Sequence, residues 1–585
     1  SRVNPIVLEK RVASKTVTSS SNDTTKELST NHLASMKGAD RASMTKKEGS
    51  TVGLRDWGYP GYLTSSEFLI FETFRDEVFS KRRTDEFRMT VFSFQGAYEE
   101  APYALCRWLR ARKYNLSDTI KMVEEATECT AGPRKHAFFP DPEEALSVES
   151  SLYIKQYPQI YFGHAKNGCP VFISQPGRLN IDGVSSLTNI PNIINFHWYA
   201  MMHEYVHHLD AMRKTSNGNF KRYECVCILD MSQLTAAKVG KRALNITKCQ
   251  SAIDSLCFPE TLNKMVIVNA PGFFSLTWKV ARGWIDQRTA AKVDVVGSGK
   301  EKLLKKLSNY IDPDELPSDY GGNGKSIATF LKEDMLQVAE SKREVGSTLK
   351  LQDEDPCMVS FKGSTHKSIT VGDKKVVKLS FLTRMMDGCK VLVKDAKTGK
   401  ILSTVNVVHK GKGENDDDEL PTRYDLEKEG FVLQGPGEFN IEFIANGGRF
   451  KFINVMMAIK TFIVGAAKVS SNIEIKAKAQ AQVQVQTQPQ PQAMIDNNGP
   501  NVSICTGIFS PEESQNLSVK ASPHMERKLA AIARKEEGKG QSKSKDDGDY
   551  GGIPKVKRVT DDTKYTVSDS PQRAAPKSCG IFSCN

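Results

Sequence analysis

Apolar residues recur at helical spacing from about residue 56 to 135, most clearly in ALCRWLRARKYNLSDTIKMVEEATEC (104 to 129). There Leu105, Trp108, Leu109, Ile120 and Val123 form one stripe, and the segment from Asn115 to Asp118 predicts a break into two helices. Between about 150 and 320 the rhythm changes. Short apolar runs, PVFIS (170 to 174), YECVCILDMS (223 to 232), KMVIVNAP (264 to 271) and AKVDVVG (291 to 297), alternate with longer amphipathic ones. Runs apolar on both faces are what the buried strands of a layered α/β domain need. Beyond a charged stretch at 332 to 347, apolar and polar residues alternate one by one in VVKLSFL (376 to 382), KVLVKDAKTGKILSTVNVV (390 to 408) and GEFNIEFIANGGRFKFINVMMAIK (437 to 460). With turns at Thr398-Gly399 and Asn446-Gly447, this pattern predicts an antiparallel β-sandwich.

The implied organisation is a disordered segment over 1–55, a helical subdomain over 56–145, an α/β domain over 146–330, a linker over 331–350 and a β-sandwich over 351–465. The tail, 466–585, is rich in Gln, Ser, Lys and Gly and cannot bury enough apolar surface to offset chain entropy, so it is expected to be disordered.

Composition refines this only slightly. Lysine and arginine outnumber aspartate and glutamate 81 to 69 over 585 residues, a net charge of +12 that favours anionic surfaces without choosing between membrane and nucleic acid. The twelve cysteines include no C-x-x-C pair, which predicts reduced thiols in a cytosolic setting. The closest two, Cys225 and Cys227, are expected on opposite faces of a strand. No window approaches eighteen uncharged apolar residues, so no spanning helix is expected.

Three stretches suggest chemistry. His203-Glu204-Tyr205-Val206-His207 fits H-E-x-x-H, and helical spacing lets His203 and His207 share a face. A zinc hydrolase needs a third ligand, and the extended pattern would want Gly and His where Asp210 and Arg213 stand, so the match reads as coincidence and no metal is expected. GGNGKS (321 to 326) has Asp319 where a phosphate-cradling loop needs glycine. The third stretch, 258 to 297, runs from Pro259-Glu260 through a strand to a helix whose face carries Phe273, Leu276, Val280 and Trp284. Phe274, Trp278 and Ile285 widen that face enough to line a cavity or meet a membrane.

Taken in order, GYLT (61 to 64), LRARKYN (109 to 115), the P-E to N-A-P strand (259 to 271), D-x-R-T-x-x-K (286 to 292) and LPSDYGG (316 to 322) resemble the CRAL-TRIO family, in its phosphatidylinositol/phosphatidylcholine transfer type, over about 60 to 325. The resemblance implies an α/β CRAL-TRIO domain with an N-terminal helical subdomain, whose sheet floors an apolar pocket. The helix carrying Phe273, Phe274, Leu276, Trp278, Val280 and Trp284 would be its mobile gate. It implies a phosphatidylinositol head-group site made of Arg112, Lys113, Glu260, Thr289 and Lys292. Cys225, Cys227 and Asp254 stand where choline-lipid exchangers carry hydroxyls, which puts a second-lipid pocket there in doubt.

The implied function is carriage or presentation of phosphatidylinositol without enzymatic activity and with no cofactor beyond the bound phospholipid. Other hydrophobic ligands, such as a sterol, a tocopherol-like molecule or a retinoid, are the alternative. The implied location is cytoplasmic with transient attachment to membranes, Golgi or endosomal among them, and no nucleic-acid partner is expected. Residues 351 to 465 resemble a GOLD domain, which implies a protein partner. In the tail, Cys579 and Cys584 are either S-acylated or idle thiols.

Overall fold

The computed structural model describes residues 41–464, apart from 95–98, 216–221, 236–240, 273, 275–286, 345–346, 413–416 and 448–450, together with 564–566. Its first half opens with α1 (Arg41–Met44), α2 (Ser65–Val78), α3 (Asp85–Val91), α4 (Ala101–Ala111) and α5 (Leu116–Lys135). Residues 41–55 are therefore placed, against the expectation for 1–55, and Met44 is buried in the main core. Thr64 and Glu67 cap the start of α2 reciprocally, satisfying two backbone donors. Asn115 accepts from the Asp118 N–H at 3.2 Å and starts α5, which is why the stripe breaks there.

A five-stranded sheet follows in the order β1 (Gln159–His164), β2 (Pro170–Ser174), β3 (Cys225–Asp230), β4 (Leu262–Val268) and β5 (Val293–Val295). The first pair is antiparallel and the rest are parallel. The helices α6 (Pro142–Leu146), α7 (Ser150–Gln156), α8 (Ile181–Leu187), α9 (Ile190–Tyr199), α10 (Tyr205–Thr215), α11 (Lys241–Cys257), α12 (Gln287–Ala291) and α13 (Lys300–Leu307) precede, connect and follow these strands. Alternation along β4 divides the apolar residues between two faces. Val266 and Val268 join the main core, whereas Met265 and Ile267 join Met231, Leu234, Phe274 and Val293 in a separate cluster.

The expectation for the β3 cysteines was wrong. Residues two apart on a strand share a face, and the sulfurs of Cys225 and Cys227 lie 3.4 Å apart.

The charged stretch after the α/β half is helical as α14 (Ile327–Ser341). The second half is a pair of packed antiparallel sheets around its own core. One sheet orders β10 (Ile401–Val407), β9 (Cys389–Asp395), β13 (Gly437–Ala445) and β7 (Ser364–Val371), with β15 (Lys564–Thr566) parallel to β7 at the edge. The other orders β11 (Thr422–Asp425), β8 (Lys375–Thr383), β14 (Phe452–Val464) and β6 (Leu349–Lys362), with β12 (Leu433–Gln434) beside β8. Leu382, Met456 and Ala458 of this second sheet are buried in the core of the first half, so the two halves share apolar packing. Among the described residues no helix is long and apolar enough to cross a membrane.

Candidate functional site

Glu260 sits just beyond α11, and its position is built rather than incidental. Arg107 on α4, buried and paired with Glu99 at 3.0 and 3.1 Å, donates to the Pro259 carbonyl at 3.2 Å and so fixes the turn. Glu260 itself has a φ of 60°, in the left-handed region where a non-glycine residue costs about 1 kcal/mol or more. The surrounding contacts hold it there. Arg110 donates to Glu260 Oε2 at 3.0 Å and Lys292 donates to the same oxygen at 3.2 Å, while Arg288 faces Oε1 at 3.6 Å. Burial alone would push the Glu260 carboxyl up; Lys292, Arg110 and Arg288 overcome it and hold the group at about 2.

Aromatic rings from the N-terminal segment close the back of this cluster. The Arg110 guanidinium lies 3.9 Å from the Tyr59 ring centroid and Arg288 lies 5.0 Å from that of Trp57. The Arg110 side chain is buried, and its Nε and Nη1 have no hydrogen-bond partner, so aromatic faces take the place of acceptors. In front, Arg288 and Lys292 line a cavity of about 300 Å³ with Arg55, Lys166, Lys264 and Glu224. Glu224 accepts from Tyr59 at 3.3 Å and from Asn263.

Of the residues named from sequence, Glu260 and Lys292 are thus in contact. Thr289 lies on α12, half-buried, and its carbonyl accepts the Lys292 N–H at 3.0 Å. Arg112 and Lys113 stand at the C-terminal end of α4, half-buried and exposed respectively, and the arginine that reaches Glu260 is Arg110, one turn earlier. Arg110 and Arg288 escaped the sequence reading. The signal for the first was available: Arg107 and Arg110 sit three apart amid the apolar stripe of α4, where an unpaired cation is too costly to keep. Arg288 stands inside the quoted D-x-R-T-x-x-K motif. Nothing in the sequence marks Trp57, Tyr59 or Glu224.

Phe274 is buried in the cluster on the β4 face. Phe273, Leu276, Trp278, Val280 and Trp284 lie outside the described residues, as do Cys579 and Cys584. Cys225 and Cys227 are half-buried on β3; Asp254, on α11, accepts from His197 at 2.8 Å with a side chain 41% exposed.

The H-E-x-x-H segment begins in a π-helical turn, Ala200–Glu204, and continues into α10. His203 Nε2 donates to the Ala137 carbonyl at 2.8 Å, and His208 packs against Tyr161, its ring held down to about 4 by burial and then by His207. No group of three His, Cys, Asp or Glu able to hold a metal occurs among the described residues.

Residues 154–322 match a family model described as the CRAL/TRIO domain. In Arabidopsis thaliana, the phosphatidylinositol/phosphatidylcholine transfer protein SFH9 is 25% identical over 259 residues, 44% of this chain and 43% of its own length. SFH13 of the same plant, with the same description, is 30% identical over 38% of this chain and 34% of its own length. The Sec14 cytosolic factor of Schizosaccharomyces pombe is 25% identical over 46% of this chain and 85% of its own length. The chain thus spans about half or less of the length of the two plant relatives.

Proposed function

We propose that this CRAL/TRIO-domain protein is a non-enzymatic carrier that takes up phosphatidylinositol from one membrane and deposits or presents it at another. The observation that carries the reading is the Glu260 cluster: a carboxylate only 11% exposed, clamped by Lys292, Arg110 and Arg288, two of which also line an open cavity. A phosphodiester linked to a polyol asks for cations with fixed geometry beside groups that bind hydroxyls. Arg288 and Lys292 supply the first, and Glu224, Asn263 and Thr289 are suited to the second. The plant relatives' names specify both phosphatidylinositol and phosphatidylcholine, and the first of these agrees with this chemistry.

The acyl chains require a different surface. Drawing about thirty methylenes out of a bilayer at about 0.8 kcal/mol each exposes more than about 20 kcal/mol of apolar surface. The apolar face carrying Met265, Ile267, Val293 and Leu229 is suited to receive them, with the aromatic segment around 273 to 285 as its gate. Arg112 and Lys113 would meet the membrane-side phosphates at the cluster's margin. Cys225 and Cys227 offer weak donors, which disfavours choline lipids there. The β-half would be a GOLD-like module that engages a protein partner, and the carrier would work in the cytosol with transient contact to membranes.

Transfer of labelled phosphatidylinositol between vesicles tests the reading. Losing a charge-assisted contact worth about 1.5–3 kcal/mol, Lys292→Ala should slow transfer at least about tenfold while circular dichroism stays native. Undiminished transfer by a folded Lys292→Ala protein refutes the site.

A further inference from the structure

The head-group cluster makes no use of Cys225 and Cys227, whose sulfurs lie 3.4 Å apart on β3. Residues two apart on a strand have Cα atoms separated by about 6.6 Å. A disulfide spans about 4.4–6.8 Å between Cα atoms, so the pair falls just inside the upper limit. Side chains on one face of a regular strand stand side by side, which keeps their ends apart; these two converge. The backbone is irregular at the same place. The β3–β4 register shifts between Cys225, opposite Leu262, and Val226, opposite Lys264, so Asn263 is the extra residue of a bulge. Bulges bend and twist the ladder locally.

The surroundings place the pair on a surface with a use. Val226 and Ile228 are buried in the main core, and the cysteines occupy the other face of β3, half-buried. In register, Cys227 stands between Phe172 on β2 and Met265 on β4. Cys227 packs against the Met265 cluster and Cys225 against the main core, so the pair sits where two apolar clusters meet. Both cysteines are reduced. Cys169, the thiol nearest in the next strand's approach, is only 2% exposed; burial, then Glu224 and Cys225, pushes it well up, which makes it a poor nucleophile.

We propose that Cys225 and Cys227 are a redox site that closes to a reversible disulfide, with a small disulfide such as glutathione disulfide as oxidant. One cysteine loses its proton to water, and its thiolate attacks glutathione disulfide, forming a mixed disulfide and releasing one glutathione thiolate. The thiolate of the second cysteine then attacks the protein sulfur of the mixed disulfide. That step forms the Cys225–Cys227 bond and releases the second glutathione thiolate, so the pair loses two electrons and the oxidant gains them. A bridge at the upper limit of Cα spacing is strained, and strained bridges are readily reduced. The site therefore closes only as the thiol pool becomes oxidising, the behaviour of a cytosolic sensor rather than of a structural bridge. Closure draws the sulfurs from 3.4 Å to about 2.0 Å and pulls the face suited to acyl chains together at its seam. The effect on lipid transfer rests on the carrier reading above; the bridge itself does not.

The test uses the full chain, incubated with dithiothreitol or with glutathione disulfide, alkylated and digested with trypsin. Both cysteines fall within one tryptic peptide, 223–238. After glutathione disulfide that peptide should be unalkylated and two hydrogens lighter in most molecules, and dithiothreitol should restore it. Either single variant, Cys225→Ala or Cys227→Ala, should instead hold glutathione on the remaining thiol. A wild-type peptide that stays alkylated or carries two glutathiones overturns the proposal, as does a bridge found instead at Cys169 or at Cys129 and Cys257, the other neighbouring thiols. Transfer of labelled phosphatidylinositol by the oxidised wild type should be at least threefold slower than by the reduced form, whereas Cys225→Ala/Cys227→Ala should transfer at one rate in both buffers. Equal wild-type rates with the bridge present overturn the effect on the acyl face. Absence of transfer in both states refutes the carrier reading, and the bridge then stands on its mass alone.

Discussion

Glu260 shows how a single side chain can be fixed by charge. Its carboxyl is held at about 2 against an ordinary 4.5, so the three surrounding cations favour the charged form over the unfolded chain. At about 1.4 kcal/mol for each unit, that amounts to about 3 kcal/mol. A depressed carboxyl contributes this stability above pH 4.5 and loses it as pH falls toward 2. Glu260→Gln should therefore lower the urea stability by about 3 kcal/mol at pH 7, and the gap from wild type should shrink steadily between pH 4.5 and 2. A gap that is constant across that range would show that the cations do not act on this carboxyl. The same residue marks the limit of what sequence conveys. Glu260 and Lys292, 32 positions apart, were legible because each stands in a recognisable motif. Arg110 also stands in a quoted motif, LRARKYN, and its place in the α4 stripe three positions after Arg107 gave its inward rotation; it was missed because the adjacent Arg112 and Lys113 have the same chemistry.

At the scale of elements, the strands of the α/β half could be read where their apolar runs are nearly continuous, as in β2, β3 and β4, in which no residue is exposed although one face of β3 is only half-buried. β1 ends in exposed Gly163 and His164 and gave a weaker pattern. β6 was hidden for a different reason. Its sequence LKLQDEDPCMVSFK places Asp353, Glu354 and Asp355 mid-strand, a composition that argues against a strand. Two of these charges are paired in the structure: Lys460 of the adjacent β14 pairs with Glu354 at 3.0 Å, Ser151 of the first half also bonds Glu354, and Lys332 of α14 lies 3.8 Å from Asp353.

The π-helical turn carries an opposite charge effect. Glu204 is half-buried beside Asp334 of α14, and burial, then Asp334, pushes its carboxyl up to about 7. An acid raised in the fold stabilises fully below pH 4.5 and loses that contribution as pH climbs through 7. Glu204→Gln should thus gain about 1–2 kcal/mol over wild type at pH 8, allowing for partial solvent screening, and gain nothing at pH 4. Chemical denaturation at the two pH values decides it; equal stabilities at pH 8 would mean that the carboxylate is well solvated.

For the whole molecule, the junction between the halves determines how it unfolds. Inter-domain contacts within a chain are commonly modest and polar, which permits independent motion. Here Leu382, Met456 and Ala458 of the β-half are at most 2% exposed within the other half's core. Buried Arg384 donates to the Ser185 carbonyl at 2.7 Å and the Thr188 carbonyl at 3.2 Å, while Asp417 pairs with Arg242 on α11 and its carbonyl accepts the Ile190 N–H at 3.1 Å. Glu149, held at about 2 because Arg423 and Lys460 outweigh its burial, adds a charged clasp. Such a junction couples the halves thermodynamically, since unfolding one would strand apolar and charged groups of the other. All five tryptophans precede residue 285, so their fluorescence reports only on the first half. Phe443→Ala, a cavity in the core of the second half costing about 3–5 kcal/mol, should nevertheless lower the urea midpoint seen by tryptophan fluorescence, in step with the midpoint seen by far-UV circular dichroism. A fluorescence midpoint that stays fixed while the circular dichroism splits into two transitions would mean that the halves fold independently and that the shared core contributes no coupling.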